Sequence, residues 1–107
     1  VPVHALAHIT GGGLTENLPR VLPDGLNASI NLSSWEFSAT FKWLQQQGNV
    51  SQADMLTTFN CGIGMIVCVD TKNEVETLEI LKQQGESVFT IGEITTSKGA
   101  PEVDYFG

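Results

Sequence analysis

Hydrophobic and polar residues alternate along three stretches of the chain, residues 3–10, 26–32 and 88–95. Alternation with a period of two places successive side chains on opposite faces of an extended chain, so each stretch is predicted to form a strand. Residues 63–69 instead form a nearly continuous apolar run, which predicts a central strand buried on both faces. A last short strand is predicted over residues 102–106.

A short helix is predicted directly after the first strand. Thr15 is a suitable N-cap residue, and the helix must be short because Pro19 cannot lie deep inside it. Leu14, Leu18 and Leu22 recur every fourth residue, and we expect them to pack inward.

Helical spacing and capping residues predict three more helices. One opens at residue 36 or 37, with Ser33 or Ser34 as its N-cap, and closes at Gly48. The other two are a short helix that begins at Ser51 and a helix over residues 74–84 that ends at Gly85 and carries a solvated acidic face.

The order of these elements indicates the fold class. Strands and helices are mixed along the chain, but several connections are too short for parallel crossovers. We therefore expect an α+β fold in which helices form a layer on a mixed, mostly antiparallel sheet.

Length and charge narrow the possible functions. The 107 residues allow one domain, and 41% hydrophobic with 16% charged residues is typical of a globular chain. The net charge of −7 argues against nucleic acid and against an anionic membrane surface as partners. The longest strongly apolar run, residues 62–69, is shorter than the ~20 residues that a membrane-spanning helix needs.

The chain has two cysteines, Cys61 and Cys68. On one continuous strand they would lie ~23 Å apart, too far for a disulfide. We expect both to be buried, reduced side chains, which fits the cytoplasm. Cys61 has no basic neighbour in the sequence to lower its pKa, so we assign it no role as a nucleophile.

Three consecutive glycines, Gly11, Gly12 and Gly13, separate the first strand from the first helix. A strand, a glycine turn and a helix start point free N–H groups at one place, which suits an anion such as phosphate. Thr10, Asn17 and Arg20 are candidates for additional side-chain donors. The candidate phosphate-binding residues are therefore Thr10, Gly11, Gly12, Gly13, Asn17 and Arg20. A tight turn without any ligand is the alternative that the pattern leaves open.

A second glycine-containing segment precedes the apolar run. Gly62 and Gly64 leave one strand face bare for a ligand or another backbone, with Asn60 beside them, and helix packing on the sheet is the alternative.

His4 and His8 share a strand face but lie ~13 Å apart, too far to share one metal ion. We predict no metal site and keep His8 as a supporting residue.

Two aromatic residues complete the candidates. Trp35 and Trp43 lie eight positions apart, and we expect both to be core and helix-packing anchors rather than a stacking platform.

Four blocks of this sequence resemble the C-terminal region of phosphoribosylformylglycinamidine cyclo-ligase, or AIR synthetase, of purine biosynthesis. The first block is residues 8–23, HITGGGLTENLPRVLP. The others are SW at 34–35, WLQ at 43–45 with GNV at 48–50, and TFNCGIGM at 58–65. The resemblance covers most of the chain and weakens after about residue 95.

The resemblance implies an activity for a longer parent enzyme. That enzyme uses ATP to activate a formamide oxygen and closes formylglycinamidine ribonucleotide to aminoimidazole ribonucleotide, with ADP and phosphate as the other products. It implies that the glycine loop lies near the phosphoribosyl part of this substrate. The family's ATP and Mg²⁺ residues lie in an N-terminal domain, so we expect no cofactor and no catalytic residue in this chain.

The same resemblance implies how the chain relates to its parent. We expect residues 1–107 to be a partial C-terminal domain, with Val1 at a processing boundary, the N-terminal ATP-binding domain absent and the fragment inactive alone. A truncated sheet would expose an edge and an apolar face, so we expect the missing domain and a second copy, in a homodimer, as partners.

Two alternatives remain open from the sequence. The chain could be a standalone, non-catalytic binding or regulatory module. It could also be the C-terminal domain of a related kinase of the hydrogenase maturation, selenophosphate or thiamine-phosphate type, although the blocks at residues 8–23 and 60–65 are not characteristic of those proteins.

Overall fold

Helices and strands alternate irregularly along the chain. The computed structural model describes residues 2–107. Val1, where a processing boundary was expected, lies outside this part. The elements are, in order, β1 (Ala5–His8), α1 (Gly13–Asn17), β2 (Leu26–Asn31), α2 (Ala39–Gly48), α3 (Gln52–Thr58), β3 (Met65–Cys68), α4 (Glu74–Gln83), β4 (Gly92–Thr96) and β5 (Val103–Phe106). Short 3-10 turns occupy Pro19–Val21, Leu32–Ser34 and Thr71–Asn73. The predicted α+β class is confirmed.

The strands form two sheets rather than the one sheet we expected. β1 and β3 pair antiparallel, with Ala5 opposite Cys68 and His8 opposite Met65. In the other sheet β2 lies between β4, to which it is antiparallel, and β5, to which it is parallel. Pairing is therefore mixed and mostly antiparallel, as predicted.

The prediction of a central strand over residues 63–69 is wrong. The strand is only four residues long, and Met65 at its start is 57% exposed. Within residues 2–107 it pairs with β1 alone, so its other edge is open. An apolar run without alternation gives no information about how many neighbours a strand has, which explains the error.

The core is built around α1. Leu14 and Leu18 of this region are almost fully buried, together with Met55 on α3 and Cys61, and the inward packing predicted for the leucines is confirmed. Leu22 is partly buried against the same cluster.

The two tryptophans have different environments. Trp35 is buried, and its indole Nε1–H donates to the Cys61 carbonyl at 3.1 Å. Trp43 is 59% exposed on α2, so its prediction as a packing anchor is wrong. Phe41, two positions earlier on the same helix, is the residue that packs against the core.

Two predicted helix starts are displaced. α1 begins at Gly13 after Gly12 as its N-cap, and Thr15, the predicted cap, lies inside the helix. α2 begins at Ala39, where the Ser38 hydroxyl accepts from the Phe41 N–H, instead of at residue 36 or 37. The chain is still extended at position 35, and this delays the helix.

Helix ends follow the expected chemistry with one shift. The Ser51 hydroxyl accepts from the Asp54 N–H at the start of α3, as predicted. Gly48 is the last helical residue of α2, and the left-handed position after it belongs to Asn49, with φ of 50°. Asparagine tolerates this conformation better than most residues, so it replaces the expected glycine.

Helix α4 and the segment after it are poorly covered by the rest of the described chain. None of the residues of α4 is buried, and the predicted strand over residues 88–95 begins only at Gly92. A groove of about 920 Å³ lies between β3, α4 and residues 85–91. No helix of the described chain has the length and apolarity needed to cross a membrane.

Candidate functional site

The two glycine-containing segments lie side by side at one end of the β1–β3 sheet. His8 ends β1 directly opposite Met65, which begins β3. The Ile9 N–H then donates to the Gly64 carbonyl at 2.9 Å. The loop after β1, residues 10–13 (the glycine loop), therefore neighbours the turn before β3, residues 60–64.

The glycine loop is a tight turn that packs closely on α3. The Gly13 N–H donates to the Thr10 carbonyl at 3.0 Å. Gly13 has a φ of 61°, and a Cβ atom there would fall on the carbonyl oxygens of Leu56 and Phe59. Packing of the backbone against α3 therefore explains why this position is a glycine.

Gly11 has no such explanation within the fold. Its φ is not positive, and a Cβ atom there would meet nothing within 4 Å. Within residues 2–107, the backbone N–H groups of Gly11 and Gly12 have no hydrogen-bond acceptor. The outer side of the loop thus offers two free donors, with open space for a group to approach at Gly11.

Asn17 is the centre of the hydrogen-bond network that shapes this loop. Its side chain is 6% exposed, and its Nδ2 donates to the carbonyls of Gly13 at 2.8 Å and of Thr10 and Gly11 at 3.2 Å. Its Oδ1 accepts from Thr10 Oγ1 and from Arg20 Nη1, both at 3.3 Å. The predicted residues Thr10, Gly11, Gly13, Asn17 and Arg20 are therefore brought together around one amide.

The charges beside the loop oppose each other. Arg20 is exposed and forms no ion pair within the described chain. The Glu16 side chain lies against Gly12, where it would contact any Cβ atom added to that glycine. An anion that approached the Gly11 and Gly12 N–H groups would meet attraction from Arg20 and repulsion from Glu16.

The turn at residues 60–64 has a fixed backbone and an open surface. Asn60 Oδ1 accepts from the Gly62 N–H at 2.8 Å, and the Asn60 carbonyl accepts from the Ile63 N–H at 3.0 Å. Cβ atoms at Gly62 and Gly64 would meet nothing within 4 Å. No helix of the described part packs on these glycines.

The histidines lie apart from each other. His8 is exposed and lines the groove together with Gly62 and Gly64. His4 Nε2 lies 2.9 Å from an Asp70 carboxylate oxygen, at the opposite end of the sheet. Within residues 2–107, no three His, Cys, Asp or Glu side chains converge as metal ligands.

Both cysteines are free, and Cys61 is buried. Cys61 lies in the turn and not on the strand, and its Sγ–H donates to the Met55 carbonyl. Burial raises the pKa of the Cys61 thiol to about 11 and also raises the pKa of Cys68. A thiol that stays protonated at neutral pH is a poor nucleophile.

Sequence reasoning missed two residues of this region. Glu16 lies four positions after Gly12, and helical spacing could have placed its side chain over that glycine. Tyr105, whose Oη lies 2.8 Å from Thr15 Oγ1, is 90 positions away in the sequence and gave no signal.

Comparisons with known proteins agree on one family. Residues 1–104 match the family model described as AIR synthase related protein, C-terminal domain. A relative from Nitrosococcus oceani named phosphoribosylformylglycinamidine cyclo-ligase is 55% identical over 101 residues, which are 92% of this chain and 28% of that relative. The chain thus spans less than a third of the relative's length, and it belongs to the AIR synthase related protein family as a C-terminal domain.

Proposed function

We propose that the chain is the substrate-side C-terminal domain of an ATP-dependent cyclo-ligase. The parent enzyme would convert formylglycinamidine ribonucleotide and ATP to aminoimidazole ribonucleotide, ADP and phosphate. The identity of 55% with a relative of that name supports this proposal. The arrangement around Asn17, which gathers the loop and Arg20 beside two free N–H groups, is the structural observation that carries it.

In this proposal the glycine loop binds the phosphate of the phosphoribosyl substrate. The N–H groups of Gly11 and Gly12 donate to phosphate oxygens, and Arg20 supplies the positive charge. Asn17 shapes the loop from inside and does not contact substrate, because its amide donors already bond loop carbonyls. Thr10 can turn its exposed hydroxyl from Asn17 to the phosphate.

The neighbouring turn supplies the second wall of the site. His8, Gly62 and Gly64 line the groove, where the bare glycine backbones let a ribose ring approach closely, and Asn60 holds Gly62 by a hydrogen bond. These four residues are supporting contacts in the proposal, and no residue of this chain is assigned a catalytic role.

The nucleotide and its metal belong to the rest of the parent enzyme in this proposal. Phosphoryl transfer needs cations around the phosphates, and the described part of the chain offers no cluster of three metal-binding side chains. The charge of −7 also disfavours a second polyphosphate site here. ATP and Mg²⁺ are therefore assigned to an N-terminal domain, which is also a proposed partner of this chain.

A titration followed by amide NMR tests the phosphate site. Ribose 5-phosphate is added to the 107-residue chain, and ribose without phosphate is the matched control. Saturable shifts of the Gly11 and Gly12 amides are expected with the phosphorylated sugar alone. Equal shifts with both sugars, or none at millimolar concentration, would contradict phosphate binding by the loop.

An activity assay tests the proposed division of labour. The purified chain is incubated with formylglycinamidine ribonucleotide, ATP and Mg²⁺, and ring closure is measured. We expect no turnover, because the groups that bind ATP are assigned to another domain. Turnover by the chain alone would refute this assignment.

Self-association is the second partner proposal. The open edge of β3 and exposed apolar side chains such as Met65 and Phe89 favour pairing with a second copy in a homodimer. Sedimentation velocity should show concentration-dependent dimers that Met65→Lys weakens. Trp43→Lys, which changes an equally exposed residue on α2, is the control and should leave them intact.

The cytoplasm is the proposed compartment. It is supported by the free thiols of Cys61 and Cys68, since reducing compartments keep thiols unpaired.

A further inference from the structure

The last strand of the chain reaches back to the glycine loop. Tyr105 lies on β5 and is paired with Ile30 of β2. This is the three-stranded sheet, whereas the loop follows β1 of the two-stranded sheet. Its hydroxyl lies 2.8 Å from the Thr15 hydroxyl on α1, and its ring packs partly buried against the core. This hydrogen bond joins the helix after the loop to the other sheet.

Helix α1 needs such an anchor. It has five residues, far fewer than an isolated helix requires for stability, so its orientation depends on contacts with the rest of the molecule. Leu14 and Leu18 bury its inner side, but apolar contacts are not directional. The hydrogen bond between Thr15 and Tyr105 is directional, and together with the bonds from Asn17 it restricts rotation of the helix about its axis.

The Tyr105 hydroxyl is suited to this role. Burial and the nearby Cys61 raise its pKa, although the hydrogen bond from Thr15 acts in the opposite direction. The hydroxyl therefore stays protonated at neutral pH and can donate or accept. The Tyr105 ring packs against the buried cluster that includes Cys61 of the turn at residues 60–64.

We propose that Tyr105 is a positioning residue, whose hydroxyl acts through Thr15 to hold the glycine loop in the shape that receives the phosphate. Tyr105 itself does not touch the substrate. The phosphate-binding part of this inference rests on the proposed function, whereas the ordering of the loop does not.

Amide hydrogen exchange without ligand tests the ordering. Tyr105→Phe removes one oxygen and keeps the ring. The N–H groups of Glu16 and Leu18, which bond the Gly12 and Leu14 carbonyls, should then exchange about tenfold faster. Thr15→Val, which removes the hydroxyl, should have the same effect. Thr15→Ser, which keeps the hydroxyl, should leave exchange as slow as in the unchanged chain.

Two results would overturn the inference. One is unchanged exchange at Glu16 and Leu18 in Tyr105→Phe. The other is equal acceleration at the Lys42 N–H, which donates to the Ser38 carbonyl at the start of helix α2, because this would show a general loss of stability. In the double variant Tyr105→Phe/Thr15→Val, an effect no larger than that of either single change supports a shared bond.

Titration with ribose 5-phosphate completes the test. We expect Tyr105→Phe to weaken binding about fivefold, which corresponds to the net effect of one hydrogen bond. If the unchanged chain binds and the variant binds equally well, the positioning role fails. If the unchanged chain does not bind, the proposed function fails, and hydrogen exchange alone decides whether Tyr105 orders the loop.

Discussion

The glycine loop and helix α4 lie in regions of opposite character. Around the loop, Leu14, Leu18, Met55 and Cys61 are almost fully buried. Along α4 no residue is buried, and Val75 is 68% exposed. One region of this domain is therefore packed at the density of a core, whereas the other is a helix beside an open groove.

The loop and helix α4 differ in whether contacts within the described chain hold them in place. The loop conformation is held by side-chain hydrogen bonds from Asn17 and by backbone contact with α3, all within the described chain. Helix α4 is amphipathic, but little in the described chain covers its apolar side chains. The proposed phosphate site on the loop would therefore be preformed, whereas the groove would gain stability if the proposed partner covered it.

The largest predicted effect breaks the packing at the loop. Gly13→Ala should lower the free energy of unfolding by about 4 kcal/mol, because the new Cβ combines left-handed strain with overlap on two carbonyl oxygens. Gly11→Ala, in open space two positions earlier, should change it by less than about 0.5 kcal/mol. Urea denaturation of both variants measures the contrast, and similar losses for the two would contradict it.

A substitution in each region tests the difference in packing directly. Leu14→Ala should cost about 3 kcal/mol, since Leu14 has no exposed surface and its removal leaves a cavity. Val75→Ala on α4 should be within about 0.5 kcal/mol of the unchanged chain. Thermal and urea unfolding report both values. A large loss for Val75→Ala would mean that α4 is packed in solution, for example against a second copy.

The same difference explains which parts of the fold were predictable. The leucines at every fourth position, the Ser51 cap and the glycine at position 85 act within a few residues, and the structure confirms them. The extent of β3 and the environment of Trp43 depend on neighbours distant in sequence, and both predictions failed. Local patterns report the period of an element but not what covers it.

For the candidate site, the sequence pointed to residues that the structure brings together, but not to how they are arranged. Thr10, Asn17 and Arg20 were expected as three donors to a ligand, whereas the structure shows two of them bonded to the third. Glu16 and Tyr105 were not identified. The position of Glu16 over Gly12 follows from helical spacing once the start of α1 is known, whereas the contact of Tyr105 depends on the pairing of β5, which no spacing along the chain records.

The two cysteines give a smaller, pH-dependent test of burial. The pKa of Cys61 is raised from 9.0 to about 11, so the folded state favours the neutral thiol. The stabilisation that comes from keeping the Cys61 thiol neutral is fully present below pH 9.0, the pKa of the thiol in the unfolded chain. As pH rises from 9.0 to about 11, the free energy of unfolding should fall by on the order of 2 kcal/mol.

Urea unfolding across this alkaline range measures the loss. Cys61→Ala should flatten the decline, with the remainder arising from Tyr105 and Cys68, whose pKa values are also raised. Cys68, which is only partly buried against the core, should react with a thiol reagent faster than Cys61. Equal rates for the two thiols would contradict the difference in packing.

The smallest predicted effect concerns the charge that opposes an anion at the loop. Glu16→Gln keeps the side-chain size but removes the negative charge beside Gly12, so ribose 5-phosphate should bind about threefold more tightly. Glu79→Gln on exposed α4 makes the same change in net charge and should leave affinity almost unchanged. Amide NMR titrations compare the three proteins, and added salt should reduce the gain. If both variants improved binding equally, net charge and not the position of Glu16 would control affinity, and the phosphate would not bind at the glycine loop as proposed.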